Sequence, residues 1–133
     1  MSESAIVQVA AAAVFDSQGR VLIARRPEQT HQGGLWEFPG GKLDPHETPQ
    51  ECLKRELKEE LSIEAEIRNL IHTSKFNYGH MEVELLLYTA SYRSGEFVLQ
   101  DHEEIAWFLP KDLPKYDFVE ADKPIVKRLT KGL

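Results

Sequence analysis

Apolar positions recur along the chain with two different periods, and the changes between them mark out strands and helices. Ile6 to Phe15 is an almost unbroken apolar run, the pattern of a strand buried on both faces. Asp16-Ser17-Gln18-Gly19 turns it into a second strand, Val21 to Arg25. Pro27 to Gly34 reads as a polar loop. Leu35 to Phe38 returns apolar and aromatic and enters a Pro39-Gly40-Gly41 turn, where paired glycines let backbone approach a ligand closely. From Pro49 to Leu61 the period becomes helical. Ala65 to Thr73 then reads as a strand, Ser74 to His80 as a connection, and Met81 to Ser91 as a long strand alternating around Val83, Leu85 and Leu87. Ser94-Gly95 turns the chain, Phe97 to Leu99 is long enough for brief pairing, and Ile105 to Leu109 is the last strand. Pro110 to Glu120 is irregular, with a turn of helix at Asp112-Leu113-Pro114, before a closing helix from Lys123 to Lys131. This order of strands and helices predicts a single α/β domain over residues 1–133.

The central helix carries the chemistry. Thr48 is a good N-cap, Pro49 suits the first helical position, and Glu51 completes a capping box. At about 100° per residue, Leu53, Leu57 and Leu61 form one stripe. Glu56, Glu59 and Glu60 fall on the adjoining face, with Glu60 inside the apolar arc near Leu53. A solvated acidic face avoids the core side of a helix, and glutamates three and four apart repel one another. A cation therefore belongs among them, and clustered carboxylate oxygens suit a hard divalent ion such as Mg²⁺ that bridges to substrate phosphates.

Composition narrows the function. A chain of 133 residues with 41% hydrophobic content buries a sufficient core without disulfides. A formal charge of −6 with no basic stripe excludes a nucleic-acid polymer as the main partner. The single Cys52 lies on the apolar side of the helix and reads as a buried structural thiol. Ala10 to Val14 is too short to cross a bilayer and lacks a charged start before it, so the expected setting is the cytoplasm with no membrane partner.

The stretch GKLDPHETPQECLKRELKEELSI resembles the box that defines the Nudix hydrolase superfamily: G, five residues, E, seven residues, R-E, apolar, any, E-E, any, G, apolar. Gly41, Glu47, Arg55, Glu56, Leu57, Glu59, Glu60 and Ile63 match. Ser62 departs, standing where glycine is usual: either a left-handed Ser costs about 1 kcal/mol more than Gly there, or the turn differs slightly. The likeness to MutT-type members extends through EFPGGK, DHEEIAWF and ADKPIV, most of the chain. It implies a mixed β-sheet sandwiched between helices, and cleavage of nucleoside triphosphates to the monophosphate and pyrophosphate.

The resemblance also implies roles. Glu56, Glu59, Glu60 and the Gly41 carbonyl correspond to ligands of Mg²⁺, with Mn²⁺ as a substitute, and one of the three glutamates also orients the attacking water. Glu47 is supportive, and Arg55 holds a glutamate in place by charge-assisted bonds. Asp101 stands where the family carries a further acid, normally Glu; Glu103 and Glu104 are alternatives in the same loop. Arg26 corresponds to a phosphate contact, the other reading being a surface arginine. Phe38 is either core or nucleotide pocket. Tyr78 and Met81 match base-contacting positions, although spacing alone makes them ordinary loop or core residues. Asp122 either caps the closing helix or reads the base, standing where enzymes specific for oxidised guanine carry Asn. His102 reads as a solvent-exposed loop residue. The leading expectation is hydrolysis of oxidised or modified nucleotides such as 8-oxo-dGTP by a monomer or homodimer. CTP or modified dCTP, nucleotide sugars, dinucleoside polyphosphates and a non-catalytic binding module are the alternatives.

Overall fold

The computed structural model describes residues 5–132; the single-domain expectation reaches past these at residues 1–4 and 133, which lie outside the described residues. Seven strands among the described residues form one sheet: β1 (Ala5–Phe15), β2 (Val21–Arg25), β3 (Trp36–Glu37), β4 (Gly40–Lys42), β5 (Glu64–Asn77), β6 (Met81–Ser94) and β7 (Glu104–Phe108). The main path runs β3-β2-β1-β6-β5, with β4 on β1 and β7 on β2. β1 and β6 are parallel in continuous register, from Ala5 opposite Met81 to Phe15 opposite Ser91; the other pairings are antiparallel. The sheet is therefore mixed.

Helix α1 (Pro49–Leu61) covers one face, and α2 (Lys123–Thr130), with the 3-10 turn Pro110–Lys115, covers the other. Alternation along β1 decides which residue goes where. Ala10, Ala12 and Val14 pack under Leu53, Leu57 and Leu61 of α1, while Ala11 and Ala13 join Leu113, Ile125 and Leu129. Small alanines let both layers approach the sheet. The double-sided burial expected of this strand holds from Ala10 to Val14, but Phe15 is only partly buried and Ile6 is exposed.

Several boundaries differ from the sequence reading. Gly40 and Gly41 belong to a strand, because a Cβ on Gly40 would collide with the Ala10 carbonyl and only glycines permit that crossing against β1. β5 continues through Lys75 and Asn77 opposite Glu84 and Glu82, so the connection shrinks to the turn Tyr78–His80. Phe97–Leu99 joins no strand; its backbone is used elsewhere, as described next.

Candidate active site

Helix α1 begins as its sequence dictates. Thr48 Oγ1 accepts the Glu51 N–H at 3.1 Å and Glu51 Oε1 accepts the Thr48 N–H at 2.9 Å. Arg55, one and a half turns in, gathers the acids. Its Nε and Nη2 reach the two oxygens of Glu47 at 2.8 and 2.9 Å, while Nη1 reaches Glu56 at 2.8 Å and Glu59 at 3.4 Å. The fork on Glu47 holds that carboxyl at about 2, well below the ordinary range. Glu56 packs against Gly41, where a Cβ would stand 2.6 Å from its carboxyl carbon. That contact gives a steric reason for glycine at position 41.

The end of α1 is completed from a distance. Ser62 takes the left-handed conformation, φ 60°, and its N–H reaches the carbonyls of Leu57 and Lys58. The Val98 N–H reaches the Leu61 carbonyl at 3.1 Å, and the Gln100 N–H reaches that of Glu60 at 3.2 Å. These bonds satisfy carbonyls that any helix leaves open at its C-terminus. They also deliver the next two residues, Asp101 and His102, into the same cleft as Glu60.

That cleft has a volume of about 710 Å³ and is walled by Arg26, Glu37, Phe38, Gly41, Glu60, Asp101, His102 and Asp122. Glu60 is largely enclosed; burial pushes its carboxyl up to about 9, with neighbouring Glu56 adding to the shift. Arg26 donates from Nε to the His31 carbonyl at 2.9 Å and pairs with Glu37 at 3.3 Å. Arg25, pointing oppositely, binds Glu104 at 2.7 Å and Glu103 at 3.6 Å. Neither Glu103 nor Glu104 lines the cleft, so Asp101 is the acid this loop contributes.

Asp122 does not cap α2. Its carboxylate turns inward and accepts the Phe38 N–H at 2.9 Å, and burial raises its pKa to about 7. Phe38 stacks on Phe118 with ring centroids 5.4 Å apart, so it is core on one side and cleft wall on the other. Tyr78 and Met81 are not brought to this cleft: Tyr78 is exposed in the β5–β6 turn, its N–H bonded to the Met81 carbonyl. Cys52 is fully buried, its Sγ 3.5 Å from the Gly41 carbonyl, and burial pushes the thiol up to about 11, as a structural cysteine requires.

Two cleft residues escaped the sequence reading. Glu37 lies within EFPGGK with no local signal to mark it, and the acidic loop around His102 predicts solvent exposure. Instead the His102 side chain is only 4% exposed, and Nε2 sits 2.7 Å from Glu37 Oε2. The acidic loop suggests exposure; only its docking on α1 buries the ring.

Among the described residues no three His, Cys, Asp or Glu side chains already converge on one point. Arg55 draws Glu56 and Glu59 toward itself, and Glu59 lies at the outer surface, 60% exposed. The donor set nevertheless suits a hard divalent cation. Glu56 and Glu60 adjoin, Asp101 shares the cleft, and the enclosed Glu60 carboxylate is disfavoured until a positive charge compensates it.

The family model described as the NUDIX domain matches residues 6–129. A protein of Escherichia coli (strain K12) named CTP pyrophosphohydrolase is 33% identical over 116 residues, covering 87% of this chain and 86% of that protein. The 8-oxo-dGTP diphosphatase of Haemophilus influenzae is 32% identical over 124 residues, covering 93% and 91% respectively. The solution structure of the E. coli ORF135 protein superposes with a TM-score of 0.85 at 30% identity, over 96% of this chain and 90% of that one.

Proposed function

The chain belongs to the Nudix hydrolase family, which acts on phosphoric anhydride bonds, and from that premise we propose that it cleaves nucleoside triphosphates to the monophosphate and pyrophosphate, selecting oxidised or modified bases such as that of 8-oxo-dGTP. The observation that carries this reading is the sharing of one cleft by the Glu60 end of α1, Arg26, and the Phe38–Asp122 pair. A nucleotide needs phosphate chemistry and base recognition in one cleft, which supports this reading, and the cleft falls in the size range of small-molecule sites, about 300–1,000 Å³.

Glu56, Glu59, Glu60, the Gly41 carbonyl and Asp101 would hold divalent cations, Mg²⁺ or Mn²⁺. Bound there, such ions neutralise phosphate oxygens and make water a better nucleophile. The chain's own residues do the rest. Arg26 presents its guanidinium to the phosphates, Arg55 holds Glu47 and Glu56 in place, and one of Glu56, Glu59 and Glu60 orients the attacking water. Phe38 bounds the base, and Asp122 meets its edge.

The ionised form of Asp122 only accepts and so favours a base edge rich in N–H donors, while the raised pKa of about 7 adds a protonated carboxyl that also donates. Guanine N1 and N2 qualify, and so does the cytosine amino group. The E. coli relative named for CTP gives the cytosine reading specific support. Free nucleotides of the cytoplasm are the substrates under either reading, and the acting unit is a monomer or homodimer.

The test is pyrophosphate release with Mg²⁺ across 8-oxo-dGTP, 2-hydroxy-dATP, CTP, dCTP, 5-methyl-dCTP and the unmodified purine nucleotides. Preference for an oxidised purine is the expected result. Preference for cytosine moves the assignment to a pyrimidine nucleotide pyrophosphohydrolase, and absence of release from all of them overturns the proposal.

A further inference from the structure

His102 Nδ1 stands apart among the described residues as a buried side-chain nitrogen with no hydrogen-bond partner. Its other ring nitrogen is committed. Nε2 lies 2.7 Å from Glu37 Oε2, and because a carboxylate only accepts, Nε2 carries the hydrogen. In the neutral ring Nδ1 is then a bare electron pair. It faces Glu60 Oε2 at 4.0 Å, too far for a direct hydrogen bond. An unpartnered ring nitrogen and a carboxyl oxygen thus face each other across a gap inside an enclosed cleft, and a buried polar atom costs free energy until something accepts from it.

A divalent cation is the acceptor whose dimensions suit that gap. Metal–nitrogen and metal–oxygen bonds of about 2.0–2.2 Å set adjacent ligands of one ion about 3.0–3.4 Å apart and opposed ligands about 4.2 Å apart, so the 4.0 Å gap admits an ion between nearly opposed ligands. Glu37 completes the pattern, since a ligating histidine commonly donates its second N–H to a carboxylate, which fixes tautomer and ring orientation. Glu37 is itself held on its other oxygen by Arg26, at 3.3 Å. We propose that His102 Nδ1 and Glu60 Oε2 are two ligands of a divalent-cation subsite, oriented by Glu37, that prefers a transition-metal ion to Mg²⁺. The preference follows from the nitrogen: imidazole suits borderline cations such as Co²⁺ and Zn²⁺, whereas Mg²⁺ favours an all-oxygen shell. Waters and substrate phosphate oxygens fill the remaining positions. This inference rests on the reading of Glu60 as a metal-binding residue, and adds to it a nitrogen ligand that the acidic box does not contain.

The test uses the full chain and the metals alone. Mn²⁺ bound to the protein is examined by pulsed electron paramagnetic resonance for coupling to a directly coordinated ¹⁴N nucleus, and Co²⁺ affinity is measured in competition with Mg²⁺. The expected result is nitrogen coupling in the parent, its loss in His102→Gln, and its retention in His31→Gln. Co²⁺ affinity should fall about 10–100-fold in His102→Gln, with Mg²⁺ affinity changing less than about threefold. Glu37→Gln, which removes the orienting carboxylate without touching a ligand, should lower Co²⁺ affinity by at least about tenfold; with the parent spectrum it decides the matter even if His102→Gln does not fold. No nitrogen coupling in the parent, or coupling undiminished in His102→Gln, overturns the subsite. Mg²⁺-dependent pyrophosphate release by the parent is scored separately. Release without nitrogen coupling sinks the subsite and leaves the hydrolase reading intact, whereas nitrogen coupling without release does the reverse.

Discussion

Asp122 Oδ2 accepts the main-chain N–H of Phe38 at 2.9 Å, joining residues 84 apart in sequence. The bond ties the start of α2 to the strand turn that precedes the acidic helix, and it presents a carboxyl and an aromatic ring to one cleft. Asp122→Asn keeps an oxygen to accept the Phe38 N–H but replaces an acceptor with a donor at the second position. Relative pyrophosphate release should therefore shift between bases by about tenfold or more, while Mn²⁺ affinity stays within about twofold. An unchanged substrate profile would assign Asp122 a purely structural task.

The same carboxyl makes stability depend on pH. Burial raises its pKa from 3.8 to about 7, so between those values the folded chain holds a proton that the unfolded chain has released. Its contribution is fully favourable below the lower value, declines as pH rises toward about 7, and is flat above. Asp122→Asn removes the titration. From pH 4 to pH 8 the variant should gain on the parent by an amount on the order of 2–4 kcal/mol, read as the change in their difference by urea unfolding. A constant difference across that range would contradict the assignment.

Arg55 joins Glu47, Glu56 and Glu59 through one guanidinium. Lysine keeps the charge but cannot fork onto Glu47 while reaching Glu56. Arg55→Lys should lower kcat about 10–100-fold, an effect of the size seen when the supports of ligating groups are removed, and cost about 1–3 kcal/mol in unfolding free energy from the lost charge-assisted bonds. Parent-like kcat in the variant would show that the acids orient themselves.

Glu59 is exposed and makes one long contact with Arg55, so its loss leaves the fold nearly untouched. Glu59→Gln should change unfolding free energy by less than about 0.5 kcal/mol yet lower pyrophosphate release at least about a hundredfold, close to what chelation by EDTA does to the parent. Retained turnover, in the variant or after chelation, would remove the support for a metal-dependent site.

Ser62 holds a left-handed backbone at the end of α1, a conformation that costs a non-glycine residue about 1–2 kcal/mol. Part of that is offset by the greater freedom of glycine in the unfolded chain. Ser62→Gly should then stabilise by about 0.5–1 kcal/mol, raising Tm by roughly 2–4 °C, with kcat unchanged. A lower Tm would mean that the Ser62 side chain stabilises the turn by more than its backbone costs.

The sequence by itself determined what local chemistry determines. Thr48, Pro49 and Glu51 specify where α1 starts because a capping box is written in adjacent residues, and helical spacing alone sets Glu56, Glu59 and Glu60 beside a buried leucine stripe. Strand periodicity likewise separates β1 and β6 into two faces, but which face meets α1 and which meets α2 is decided by the tertiary structure. Resemblance to the Nudix box then named the family that the whole-chain match bears out. What the tertiary structure decided are pairings between distant residues. Asp122 has the sequence of a helix cap, yet burial beside Phe38 gives its carboxyl a better partner than α2 offers. His102 sits among acids that suggest solvent, but the loop before it ends on the open carbonyls of Leu61 and Glu60, and that docking buries the ring between Glu37 and Glu60. Tyr78 and Met81 stay outside the cleft because β5 and β6 pair almost to their ends, confining Tyr78 to a tight turn and Met81 to the strand beside it. Each of these outcomes rests on hydrogen bonds that close only when separate segments meet, and no local spacing records them.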